Sequence, residues 1–242
     1  MKIKELLKEK QSDNRTAKPV TIAFIGDSIT QGCFECYLTS PDSLENVFDY
    51  KSAYSTRVKE ILNMLYPSVQ INIINSGIAG DSAEGGLKRF ERDVLAYNPD
   101  LVVISFGLND AACGGKEGKA SYTAALEKMF VLLSEKGIDT LFLTENVMNT
   151  HVSPHLHDKM FVDLAERFAD IQNNGLVKEY FEAARSVCAE YGVKVCDFYS
   201  VWEKAEMIGI NTTELLANKL NHPIRELHYY IAAKIVEAIL FD

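Results

Sequence analysis

No apolar run in this chain approaches the ~20 consecutive residues that a membrane-crossing helix requires. Positive charge is scarce too: 25 Lys and Arg stand against 34 Asp and Glu, a formal net charge of -9. That balance disfavours electrostatic capture of nucleic acid or of an anionic membrane face. Cysteine is thin, five dispersed over 242 residues, which excludes a small disulfide scaffold and predicts reduced thiols. Cys33 and Cys36 form a C-x-x-C, but "CFEC" follows a completed strand and turn instead of opening a helix, so a redox role is not expected. Zinc needs about four ligands, and no second cysteine pair supplies them, so no metal is expected. Phosphate-cradling fingerprints of the G-x-x-x-x-G-K-[ST] or G-x-G-x-x-G kind are missing, which argues against a nucleotide or flavin cofactor.

The N-terminal "MKIKELLKEKQSDNR" interleaves charge with short apolar groups and lacks the apolar centre and small-residue cleavage site of a signal peptide. A cytoplasmic protein is the resulting expectation, with residues 1–19 as a helical extension and residues 20–242 as one domain. No Pro/Gly/Ser-rich linker, repeat or low-complexity tract divides the rest, and nothing in the composition specifies an oligomeric state.

What the chain does have is alternation. Short β-branched runs recur at 20–26, 69–77, 101–107, 139–145 and 193–199, and segments of helical period lie near 52–65, 82–96, 120–136, 158–190 and 224–240. The long fourth helical segment is expected to break at "QNNG", 172–175. Near-continuous apolar strands joined by helices predict an α/β fold, a three-layer α/β/α sandwich around a parallel sheet of about five strands.

In such sheets ligands bind beyond the carboxyl ends of the strands. Four strands end there in polar clusters: "GDSITQG", "NSGIAGDS", "GLND" and "ENVMNTH". Ser28 follows Gly26 and Asp27, and serine and aspartate at such a turn are also ordinary helix caps. A serine nucleophile further requires a base and preorganised donors for an oxyanion. Gly80 can bring a backbone N–H close to a ligand, and Asn109 ends its strand with an amide donor. His222, held before Pro223 and an apolar helix, is the candidate base, whereas His228 falls inside that helix as a packing residue.

Together these blocks resemble the SGNH hydrolases, the GDSL-type esterases and lipases, from "GDSITQG" to "NHPIRELH". The resemblance implies a flavodoxin-like sheet, Ser28 as nucleophile, His222 as general base, and an oxyanion hole made by the Ser28 amide, the Gly80 amide and the Asn109 side chain. Asp27 and Asp110 are expected to support the turns by hydrogen bonds to backbone N–H groups.

One position departs from that pattern. Where the family places an aspartate three residues before the histidine, this chain has Lys219, which cannot accept an imidazole N–H. A backbone carbonyl could orient His222, a carboxylate such as Glu214 could substitute, or turnover could be impaired; the carbonyl-held dyad is favoured. His151, His155 and His157 lie in a loop interrupted by Pro154, which favours a substrate-facing segment over a metal site. The overall expectation is a cofactor-free serine esterase for small acyl, chiefly acetyl, esters, with a carbohydrate as a candidate carrier. A lysophospholipase or thioesterase, and a non-catalytic binding protein on the same scaffold, are the alternatives.

Overall fold

The computed structural model describes residues 1–40 and 43–241. Its strands are β1 (Val20–Gly26), β2 (Cys33–Ser40), β3 (Ser43–Phe48), β4 (Ile71–Gly77), β5 (Leu101–Ser105), β6 (Asp139–Thr144) and β7 (Lys194–Asp197). Its helices are α1 (Ile3–Ser12), α2 (Ser28–Gln31), α3 (Tyr54–Leu65), α4 (Ala83–Asp93), α5 (Leu108–Gly114), α6 (Lys119–Glu135), α7 (Lys159–Asn173), α8 (Leu176–Glu190), α9 (Tyr199–Met207) and α10 (Arg225–Leu240).

Five strands, all parallel, form the central sheet in the order β4-β1-β5-β6-β7. Counted along that sheet alone the order is 2-1-3-4-5, the flavodoxin-like arrangement with its switch point beside the first strand. The central strands β1 and β5 are buried almost throughout, as expected for strands covered on both faces. Helices α3 and α10 pack together with α1 beside them, while α4, α6 and α8 pack in succession on one another, which supplies the two outer layers. The register levels the strand ends: Gly26 stands opposite Gly77 on one side and Ser105 on the other.

The expected break in the fourth helical segment falls at Gly175, whose φ of 84° leaves the helical region between α7 and α8. Two elements depart from the sequence reading. Residues 33–40 and 43–48, to which the sequence reading assigns no element, pair as antiparallel strands that carry little apolar periodicity, with only Cys33 and Phe34 buried. The last strand stops at Asp197 because that carboxylate accepts from the Ser200 N–H and hydroxyl, at 3.2 and 2.7 Å, and so starts α9 at Tyr199.

Helix α1 is tied to the sheet layer. Asp139 accepts from the Ile3 N–H at 2.8 Å, and Ile3 and Leu7 are fully buried in the main apolar core. Leu7→Ala should therefore lower unfolding stability by ~2–4 kcal/mol, read from urea midpoints. A change near zero would mark residues 1–19 as an appendage.

Candidate active site

The β1–α2 turn can sit on the sheet edge only because two neighbours are glycines. A Cβ on Gly77 would lie 2.2 Å from the Gln31 nitrogen, and one on Gly26 would lie 2.5 Å from the Ser105 carbonyl oxygen. Asp27 then caps α2, its Oδ1 accepting from the Ile29 N–H at 2.9 Å. Ser28 thus becomes the first residue of the helix, where a backbone N–H has no helical acceptor, and none of the described residues provides one.

His222 reaches Ser28 from a loop 194 positions away in the chain, with Nε2 2.9 Å from the hydroxyl oxygen. Its Nδ1 lies 3.0 Å from the Phe34 carbonyl oxygen. A carbonyl can only accept, so Nδ1 carries the hydrogen and Nε2 of the neutral ring is left as the acceptor of the Ser28 hydroxyl. Both residues are 5% exposed, which keeps the pair largely out of water.

Two devices hold that geometry. Asn218 Oδ1 accepts the N–H groups of Leu220, Asn221 and His222, each at 3.0 Å, and so shapes the loop that carries the imidazole. Arg225 lies 4.3 Å over the Phe34 ring and pairs with Glu35 and Asp49 at 2.9 and 3.0 Å, clamping the hairpin to α10. The Glu35 and Asp49 carboxyls are held below their ordinary range, Glu35 mainly by Arg225 and Asp49 first by Ser52.

Lys219 adopts a left-handed backbone with φ of 58°, and its Nζ pairs with Glu214 at 2.9 Å. Glu214 also accepts from Ser153 at 2.7 Å. Neither residue partners the imidazole, whose Nδ1 is taken by Phe34. His228 is buried, accepts from the Tyr54 N–H at 3.1 Å through Nδ1, and is pushed down to about 3 by burial, so it is a neutral packing residue.

Gly80 takes a left-handed φ of 78° on an exposed loop, and its N–H has no acceptor among the described residues. That loop is fixed to the serine turn by two bonds: Ile78 N–H to the Gly26 carbonyl at 3.1 Å and Ala79 N–H to Gln31 Oε1 at 2.7 Å. Buried Arg89 ties the same parts together, donating to Asp81 at 2.7 Å and to the Ser76 and Gly26 carbonyls at 2.6 and 3.1 Å. Asn109 arrives as expected, but its amide donates to Asp27 Oδ2 at 3.1 Å and to the Asp81 carbonyl at 2.9 Å. Of the three anticipated oxyanion donors, the Ser28 and Gly80 amides are free and the Asn109 amide braces the loops.

Beneath the pair lies a group of carboxyls, one of which sequence reasoning missed. Glu145, at the end of β6, accepts from the Leu108 N–H at 2.9 Å. Burial and then the charge of Asp27 push it far above the usual carboxylate range, so it holds a proton. Burial also raises Asp27 itself, against the pull of the Ile29 N–H and of His222. Asp110 accepts from the Ala83 N–H at 3.0 Å through Oδ1, and burial raises it to about 7. "ENVMNTH" marked this strand end, but the partner that makes Glu145 distinctive belongs to another strand. The part Phe34 plays in holding His222 escaped the sequence reading because its contribution is a backbone carbonyl, which any residue carries.

A flavodoxin-like parallel sheet with a serine–imidazole pair at its carboxyl edge defines the class of α/β protein to which these features belong. The chain is a member of the GDSL-like lipase/acylhydrolase family, whose model matches residues 24–228. It is 35% identical over 89 residues to the acetylxylan esterase of Geobacillus stearothermophilus, covering 37% of this chain and 39% of that protein. It is 29% identical over 115 residues to the arylesterase of Vibrio mimicus, covering 46% of this chain and 54% of that one. The matches thus span about two-fifths to a half of these curated relatives. A crystal structure of an acetyl xylan esterase superposes with a TM-score of 0.66 at 20% identity, over 91% of this chain and 100% of the other, which bears on the fold. Among the described residues, no helix is long and apolar enough to cross a membrane.

The raised Asp110 carboxyl makes stability depend on pH with a definite sign. Between the ordinary 3.8 and about 7, the native protein keeps a proton that the unfolded chain has released, so stability falls as pH rises through that window. Asp110→Asn retains an oxygen for the Ala83 N–H and removes this loss. Its stability relative to wild type should grow by about 4 kcal/mol between about pH 4 and about pH 8, read from urea midpoints. A difference independent of pH would contradict the assignment.

Proposed function

We propose that the protein is a carboxylic ester hydrolase that cleaves small acyl esters, chiefly acetyl esters, with an acetylated carbohydrate as the favoured substrate class. The observation that carries this reading is the 2.9 Å contact between His222 Nε2 and the Ser28 hydroxyl, with the Nδ1 hydrogen held by Phe34. The names of the two curated relatives, an acetylxylan esterase and an arylesterase, favour the same chemistry.

Ser28 Oγ attacks the ester carbonyl carbon while His222 Nε2 takes the hydroxyl proton. The Ser28 and Gly80 N–H groups receive the oxyanion. Asn109 joins them if its amide turns from the Asp81 carbonyl toward the oxyanion. The intermediate collapses as His222 returns its proton to the departing alcohol, and a water molecule, deprotonated by the same nitrogen, releases the acid and frees Ser28. The imidazolium formed in each half is oriented by the Phe34 carbonyl, so the mechanism is a dyad.

A cleft of about 220 Å³ opens beside Asn109, lined by Ser82, Asp110, Ser121 and Tyr122 among others. The five cysteines form no disulfide, which fits a reducing compartment and the proposed cytoplasmic location.

Hydrolysis of p-nitrophenyl acetate and of a longer acyl ester tests the reading. Ser28→Ala should lose about three orders of magnitude or more in kcat, with the acetate ester preferred by wild type. Equal rates for wild type and Ser28→Ala would leave a ligand-binding protein on this scaffold as the surviving account. In the same assay Glu214→Ala should retain most activity while His222→Ala does not. An equally large loss in Glu214→Ala would refute the carbonyl-held dyad.

A further inference from the structure

Among the described residues, one group of three His, Cys, Asp or Glu side chains converges closely enough to hold a metal ion: Cys33, Cys36 and His222, with ligand atoms all within 4.8 Å of one another. Counting along the chain could not find it, because the third ligand comes from 186 residues beyond Cys36 and from the proposed catalytic machinery. The three-histidine loop forms no such group. His155 is largely exposed and His151 lies against Thr150 and Thr213.

A tetrahedral zinc site with Zn–S near 2.3 Å and Zn–N near 2.0 Å puts its ligand atoms about 3.5–3.8 Å apart. Closing from 4.8 Å or less to that spacing takes about an ångström of side-chain movement at most. The two cysteines reach the same place because the β2–β3 register shifts between Cys33 and Cys36, a bulge that re-aims side chains. The set is two soft thiolates and one imidazole, which selects zinc or a similar thiophilic divalent cation over magnesium or calcium. A fourth position remains for water or for the Ser28 hydroxyl, 2.9 Å from His222.

We infer that Cys33, Cys36 and His222 form an inhibitory zinc site that switches the hydrolase off by taking its general base; the inhibitory half of this inference rests on the proposed esterase reading. The cysteines bind as thiolates, so their two charges neutralise the ion and affinity rises with pH. A neutral imidazole has one ring-nitrogen lone pair. If Nε2 binds the metal, that pair is consumed. If Nδ1 binds it, the hydrogen moves to Nε2, which then donates and cannot accept the Ser28 proton. Either mode of coordination removes the base.

The test uses the full chain under a phosphine reductant. Zinc is titrated against a chromophoric chelator, cobalt(II) binding is followed by thiolate-to-metal charge-transfer absorption, and p-nitrophenyl acetate hydrolysis is read with and without zinc. Wild type and His155→Ala should bind one equivalent and show the cobalt–thiolate band, whereas Cys33→Ser and Cys36→Ser should each lose the band. Zinc should slow wild-type hydrolysis by about 10²-fold or more, the contribution expected of a general base, and a chelator should restore it. The ratio of rates with and without zinc should return toward one in the cysteine variants. Absence of the band in wild type, or its persistence after loss of either cysteine, would overturn the site. Full hydrolysis by zinc-loaded protein would overturn the switch. Should the metal-free protein hydrolyse no ester, the esterase reading fails by itself, and the cobalt spectra still decide whether the site exists.

Discussion

The hydrogen bond from His222 Nδ1 to the Phe34 carbonyl, 3.0 Å long, is the constraint on which the arrangement depends. It selects the tautomer that leaves Nε2 facing Ser28, and it does so with a neutral acceptor. An aspartate there would also offset the charge of an imidazolium. A carbonyl dipole fixes orientation and offsets less. The chain accordingly holds that carbonyl by the Arg225 clamp on the hairpin, and the ring by the three N–H groups that Asn218 gathers.

Below the pair the protein tolerates an expensive concentration of acid. Asp27, Asp110 and Glu145 are all buried, and each is raised by desolvation. Three ionised carboxylates at such proximity would repel strongly in a medium of low dielectric, so protons stay on the deeper groups. The neutral form still accepts a backbone N–H, as Glu145 does from Leu108. Stability at neutral pH is thus traded for an anchored turn.

Much of the architecture could be read in advance because it rests on local regularities. The five sheet strands declared themselves as β-branched runs, and the intervening helices by their 3.6-residue period. Ser28, Gly80, Asn109 and His222 could be named because each sits at the end of such an element in a recognisable polar block. The hairpin at 33–48 could not, since its strands are half exposed and neither alternate cleanly nor form an apolar run. Lys219 shows the same limit from the other side. Its identity ruled it out as an orienting acid and left a backbone carbonyl favoured, but which residue supplies that oxygen is invisible to any reading of residue types.

By itself, then, the amino-acid sequence determined the α/β class, the order of the sheet-forming segments and the position of a serine at the first strand's carboxyl end. Those properties follow from hydrophobic period, turn chemistry and the steric need for glycine, all written within a few residues of one another. Only the tertiary structure decided which atom anchors the imidazole, that the Asn109 amide is engaged by Asp27 and Asp81, and that Cys33 and Cys36 meet His222. Each of those outcomes joins groups 28 to nearly 190 residues apart. Such meetings depend on packing and backbone path, which no local pattern encodes.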